Sequence, residues 1–190
     1  MRKFLFLPLL ALLASCGKNE DCDIVTPQPE DLVSPALYAT LSQSSTDPYN
    51  GPLEVLPCET NGSFYIGNYT AKGKQIPFPA YYLITNGIGK SQKYPLRLPV
   101  GTYNVIYWGY PDYFGTAGDA YLADPTLIIG KKLNTTSLGL RKIPGDTVYY
   151  PIHSLVYGTQ NINIGKDDLQ AHLKHASAAL SIIGIFSKCL

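Results

Sequence analysis

Leu96-Arg97-Leu98-Pro99-Val100-Gly101-Thr102-Tyr103-Asn104-Val105-Ile106-Tyr107-Trp108-Gly109 reads as a short strand, a Pro-Val-Gly turn, and then the most strongly β-prone run in the chain. Thr, Tyr, Val, Ile and Trp suit a pleated, half-buried surface, and Pro99 and Gly101 punctuate its start. Tyr103, Val105 and Tyr107 point to one face, and Asn104, Ile106 and Trp108 to the other. Both faces turn apolar towards the end. That pattern suits a central strand covered on two sides better than an exposed edge.

The composition around this run favours short strands. The 190 residues are 45% hydrophobic and 15% charged, with formal net charge +1, enough for one domain with a proper core. With 17 Gly, 15 Pro and 15 Tyr against one Met, turn formers and aromatics outweigh helix-forming periodicity. The low, balanced charge carries no electrostatic footprint for nucleic acid.

Working outward in both directions, further strands are expected at Leu37–Gln43, Ala80–Asn86, Leu127–Gly130, Ser137–Arg141, Asp146–Gly158, Leu169–Lys174 and Ala179–Phe186. The last is apolar throughout. Gly51–Pro79 reads as loop, with a short strand at Phe64–Ile66. Seven or more strands at this spacing predict an all-β domain, a two-sheet Greek-key β-sandwich.

The first residues carry an address. Arg2 and Lys3 precede an apolar run from Phe4 to Leu13, too short to span a bilayer core of about 30 Å as a helix but suited to a secretory signal. Leu13-Ala14-Ser15-Cys16-Gly17 resembles the bacterial lipobox, in which the cysteine thiol receives a diacylglycerol. Residues 1–15 are therefore read as a lipoprotein signal peptide, 16–35 as a Pro-containing tether, and 36–190 as a single domain. Lys18-Asn19-Glu20-Asp21 resembles the surface-export signal of Bacteroidetes lipoproteins. With Cys16 acylated, Cys22–Cys58 is the expected disulfide, because it would pin the tether to the domain, and Cys189 is left over.

Chemistry is sparse. His172 and His175 fall on opposite faces of a strand, and His153 and Ser154 are neighbours that face apart, so neither catalysis nor metal binding is expected. Asp112, Asp119 and Asp124 share a loop without calcium-ligand spacing. No cofactor is expected. The aromatic group Trp108, Tyr110, Tyr113, Phe114 and Tyr121 has two readings: a cap on the core, or a ligand loop that stacks on sugar rings.

Leu98-Pro99-Val100-Gly101-Thr102-Tyr103 with Trp108-Gly109 resembles the LP-x-GTY…WG strand of the FimB-type fimbrial anchor lipoproteins of the Bacteroidetes. His153-Ser154-Leu155-Val156-Tyr157-Gly158 and the stretch from Leu173 to Ile183 resemble later segments of that family. The resemblance implies a transthyretin-like sandwich, lipid-anchored in the outer membrane at the cell surface, that anchors or limits a fimbrial polymer without catalysis. Its partners would be the membrane and the fimbrial subunits. Separately, if a closing strand is missing after the apolar strand at Ala179–Phe186, the open sheet edge would accept a donated strand. A surface lipoprotein that binds a glycan through the aromatic loop is the alternative.

Overall fold

β-branched and aromatic side chains along Gly101–Gly109 produce the expected strand, nine residues long, flanked on both sides within one sheet. The computed structural model describes residues 27–41, 47–60, 64–111, 122–123, 126–133, 139–140, 142, 144–148 and 155–176. After a short 3-10 turn at Pro29–Asp31, the strands in chain order are β1 (Leu32–Val33), β2 (Leu37–Leu41), β3 (Asp47–Pro48), β4 (Gly51–Cys58), β5 (Asn68–Tyr69), β6 (Gln75–Ile76) and β7 (Ala80–Thr85). There follow β8 (Ile88–Ser91), β9 (Leu98–Pro99), β10 (Gly101–Gly109), β11 (Leu122–Ala123), β12 (Gly139–Leu140), β13 (Val156–Ile164) and β14 (Leu169–His175).

The all-β class holds. The pairings, however, join into one sheet the strands that the sequence reading divided between two. Its order is β14-β13-β10-β4-β7-β8-β2-β3, and β14 also pairs with β2, so that seven strands close into a barrel-like ring. The closing pair is parallel, Leu169↔Leu37 to Leu173↔Leu41; the other contacts in the ring are antiparallel. Three two-stranded sheets, β1-β9, β5-β6 and β11-β12, decorate it.

The main departure from expectation is β4. Gly51–Cys58 reads as loop because Pro52 and Pro57 lack the N–H that a central strand donates, yet β4 lies between β10 and β7. The register explains the tolerance. β10 pairs with Leu53–Cys58, and β7 with Gly51–Val55. Each proline aims its backbone at the neighbour that has already ended. The Pro52 carbonyl accepts from Tyr49 O–H at 2.8 Å, and the Pro57 carbonyl accepts from Ile66 N–H at 3.2 Å.

Other elements move by less. Phe64 and Tyr65 form isolated bridges to Lys132 and Cys58, and Ile129–Gly130 is a turn where a strand was expected. Within Ser137–Arg141, Gly139–Leu140 pairs with β11, and the other three residues lie outside the described residues. Gly158, read as the end of a strand, lies inside β13, which runs on to Ile164. A Cβ at Gly158 would stand 2.7 Å from the His172 carbonyl oxygen, so glycine permits the close approach of β14. Ala179–Phe186 lies outside the described residues.

The two faces of β10 carry two apolar clusters, as their alternation predicts. Val105 and Tyr107 point into the ring among Leu37, Val55, Ile84 and Leu169. Ile106 and Trp108 point outward among Leu56, Tyr65, Leu133 and Leu155, which cover that face. Each fully buried leucine or isoleucine contributes about 1.5–3 kcal/mol relative to exposure.

Candidate assembly surface

The last turn of the apolar alternation decides the fate of the aromatic group. Trp108 is 2% and Tyr110 6% exposed. Their rings meet edge to face with centroids 6.0 Å apart and planes at 81°, a favourable quadrupole arrangement. Both pack with Leu56, Tyr65 and Leu133, so these two side chains of the candidate ligand loop cap the core. Trp108 Nε1 has no hydrogen-bond partner among the described residues. Tyr113, Phe114 and Tyr121 lie outside the described residues.

The remaining site residues named from sequence are scattered. Cys58 is fully buried at the end of β4, its Sγ 3.6 Å from the Leu56 carbonyl; Cys16, Cys22 and Cys189 lie outside the described residues. His172 on β14 sits with Nδ1 3.0 Å from Thr40 Oγ1 on β2, and His175 is exposed. His153, Ser154, Asp112, Asp119 and Asp124 lie outside the described residues. Among the described residues, no group of three His, Cys, Asp or Glu could hold a metal ion.

What the fold does assemble is a pair of seams in the ring. The first lies between β2 and β8. Asn86-Gly87, both at positive φ (49° and 76°), forms the two-residue turn that matches strand twist and folds β8 back on β7 along four register pairs. On its other side β8 meets β2 at one register pair, Tyr38↔Ile88, supported by Ala39 N–H donating to the Gly87 carbonyl at 2.8 Å. Tyr38 and Ile88 are 42% and 62% exposed, so an apolar pair marks the thinnest closure on the outside. Inside, a Cβ on Gly89 would meet Leu37 Cβ at 2.9 Å. The strand expected at Ala80–Asn86 closes at Asn86-Gly87, and Ile88–Ser91 is the returning partner that a turn of that type announces.

The second seam separates β13 from β14. Their ladder holds at Val156↔His175 and Tyr157↔Lys174. Further along, a side chain takes the place of the main chain: Gln160 Oε1 accepts from Gln170 N–H at 2.8 Å and from Tyr107 O–H at 2.6 Å. Gln160 Nε2 donates to the Asp168 carbonyl at 3.4 Å. Burial, and to a lesser degree Tyr82, pushes the Tyr107 hydroxyl well above its ordinary pKa, so it serves here as a neutral donor.

Beside these, β1 pairs with β9 through Leu32↔Pro99 and Val33↔Leu98. It lies within the segment read as tether. Next to it a cleft of about 580 Å³ is lined by Pro27, Val33, Tyr69, Pro99 and Val100, with Glu30 and Asp31 on its wall.

A family model described as fimbrillin-A associated anchor proteins Mfa1 and Mfa2 matches residues 25–184. No curated protein and no solved structure matches the chain.

Proposed function

The chain belongs to the family of fimbrillin-A associated anchor proteins, and from that premise we propose that it is an anchor or accessory subunit of a fimbrial assembly, held at the outer membrane on the cell surface by lipid on Cys16. The family match over residues 25–184 carries this reading. The Leu13–Gly17 motif supports the lipid. A disulfide between Cys22 and Cys58 pins the tether, no catalytic step or cofactor is assigned, and the ring is a flattened, transthyretin-like Greek-key sandwich whose two layers join through β14 and β2.

In this reading a partner subunit joins by strand donation. The acceptor is the β2–β8 seam, where β8 offers four residues and β2 meets only one of them. The buried positions of Trp108 and Tyr110 speak for the structural role over a glycan-binding loop.

The test is a mild crosslink on intact producing cells, followed by affinity capture of the tagged chain. A ladder of fimbrial subunits is the expected product. Recovery of the lipoprotein alone would sink the anchor reading and turn attention to Tyr113 and Tyr121 with a panel of glycans.

A further inference from the structure

Acidic residues are absent from the chain between Glu59 and Asp112, a stretch that holds Lys72, Lys74, Lys90, Lys93 and Arg97. They are absent again between Asp124 and Asp146, which encloses Lys131, Lys132, Arg141 and Lys142. A chain of net charge +1 therefore concentrates its positive charge in two stretches.

The fold brings parts of both together. Tyr65 N–H donates to the Lys131 carbonyl at 3.1 Å, and Gly130 N–H donates to the Tyr65 carbonyl at 2.7 Å. Tyr65 O–H reaches the Pro77 carbonyl at 3.1 Å. Asn68, fully buried, donates to the Pro95 carbonyl and accepts from Arg97 N–H. The loops 64–78, 92–97 and 126–132 are thus tied into one surface.

That surface exposes apolar groups that a soluble face would hide. Phe78 is 53%, Ile128 51% and Ile129 37% exposed. Phe78 stacks on Tyr94 with centroids 5.6 Å apart and planes within 8°. Lys93 Nζ lies 5.3 Å from the Tyr94 ring centroid, and Lys132 Nζ 5.5 Å from that of Phe64. An apolar tip with lysine stems lying along aromatic faces is suited to an interface where the tip leaves water and the ammonium groups meet phosphates. Among the described acids, Glu54 acts on the Tyr65 hydroxyl, Glu59 N–H donates to the Phe64 carbonyl, and Glu30 and Asp31 line the cleft beside Pro27 and Tyr69.

The path of the chain brings its first described residue close to this surface. A Cβ on Gly73, in the β5–β6 turn, would stand 2.8 Å from the Pro27 carbonyl oxygen. At the base of the same hairpin, a Cβ on Gly67 would meet Ile129 at 2.9 Å. Pro27, the first described residue, therefore lies one short hairpin away from Ile129, and it stands eleven positions beyond Cys16, a reach of at most about 40 Å.

We propose that the face formed by Phe78, Ile128 and Ile129 with Lys93 and Lys131 docks on an anionic lipid surface. The orientation argument rests on lipid attachment at Cys16, as proposed above; the charge and exposure arguments do not.

The test uses the full chain purified from producing cells, mixed with excess vesicles of phosphatidylcholine, or of equal phosphatidylcholine and phosphatidylglycerol. Amide hydrogen exchange is read over residues 74–78 and 126–132. The expected result is slower exchange in both segments with the anionic vesicles. In the variant Lys93→Gln/Lys131→Gln, the affinity for the anionic vesicles, read from the lipid concentration at half protection, falls on the order of 25-fold, about fivefold per lysine, with an unchanged thermal transition. If that variant fails to fold, Ile128→Ser alone is expected to weaken protection. Equal protection by both vesicle types, no protection by either, or protection by a soluble acidic polysaccharide without vesicles would each overturn the proposal. An acyl chain on Cys16 would enter both vesicle types alike, so the difference between anionic and neutral vesicles reports on this face alone, and a failure here is separable from a failure of the crosslinking experiment.

Discussion

Replacing Gln160 with alanine removes one oxygen that two donors share, Tyr107 O–H at 2.6 Å and Gln170 N–H at 2.8 Å. The two losses differ because the donors sit in different surroundings. Tyr107 is fully buried, so its hydroxyl loses its acceptor without gaining water, at about 1–3 kcal/mol. Gln170 is exposed and regains a water, so its share is about 0.5–1 kcal/mol. Gln160→Ala is therefore expected to cost about 2–3 kcal/mol, or on the order of 5–10 °C in Tm for a domain of this size. Tyr107→Phe removes donor and hydroxyl together and costs about 1 kcal/mol. With phenylalanine already at 107, Gln160→Ala then costs only the Gln170 share. Urea unfolding of the four proteins of the cycle, followed by the fluorescence of Trp108, measures the coupling. A value of about 1–2 kcal/mol is expected. Additivity of the two substitutions within about 0.5 kcal/mol would refute the view that one glutamine side chain closes this seam.

Three further outcomes are expected. Asn68→Asp, which sets an oxygen against the Pro95 carbonyl now reached by Nδ2 at 3.0 Å, should cost about 2–4 kcal/mol in urea unfolding; an unchanged midpoint would show that Asn68 does not hold the 95–97 loop. Gly109→Ala would drive a methyl group into the Pro52 carbonyl oxygen and the Tyr49 hydroxyl, forcing β4 and β10 apart at about 1–3 kcal/mol; a Tm equal to the parent would contradict the register. Tyr65 and Tyr107 are buried and raised well above the ordinary tyrosine value of 10.0. Their contribution is thus complete below pH 10 and is lost as pH rises above it, at about 1.4 kcal/mol per pH unit for each. Phenolate absorbance followed with circular dichroism should show these tyrosines ionising only as the protein unfolds, and ionisation of all tyrosines ahead of unfolding would contradict their burial.

How far the sequence revealed the molecule depends on what each element needed to be recognised. β10 and β14 announce themselves by alternation, and the two faces of β10 lie where the alternation puts them. β4 was illegible because proline excludes a residue from a ladder only when a neighbour needs its N–H, and where β7 and β10 end is not written in Gly51–Cys58. The second half of β13 was hidden by Gln160-Asn161-Ile162-Asn163, a polar text in which only Ile162 and Ile164 keep the inward period. Ring closure was out of reach for a similar reason. The parallel pairing of β2 with β14 joins residues 132 positions apart, and nothing local in either strand specifies the partner. For the aromatic group, the parity that sends Ile106 outward also sends Trp108 and Tyr110 into the outer cluster, so core capping was already implied by the alternation.

Closure of the ring bears directly on assembly. A sheet that closes has no long edge to offer, which protects a monomer against indiscriminate pairing, while strand donation needs an edge. The β2–β8 contact lies between these demands. Separating the two strands gives up the Ala39 N–H bond to the Gly87 carbonyl, one of the two bonds by which the Tyr49 main chain bridges Ala39 and Gly87, the Tyr38–Ile88 apolar pair and the contact of Gly89 with Leu37. At about 0.5–1.5 kcal/mol for each backbone hydrogen bond, that loss is small beside a full ladder along Ile88–Ser91. The strands on either side remain tied elsewhere, β8 to β7 and β2 to β14, so an inserted strand would lengthen the ring without dismantling it. In the anchor reading proposed above, a seam held by one register pair therefore keeps the free subunit closed and leaves a partner strand only a short contact to displace.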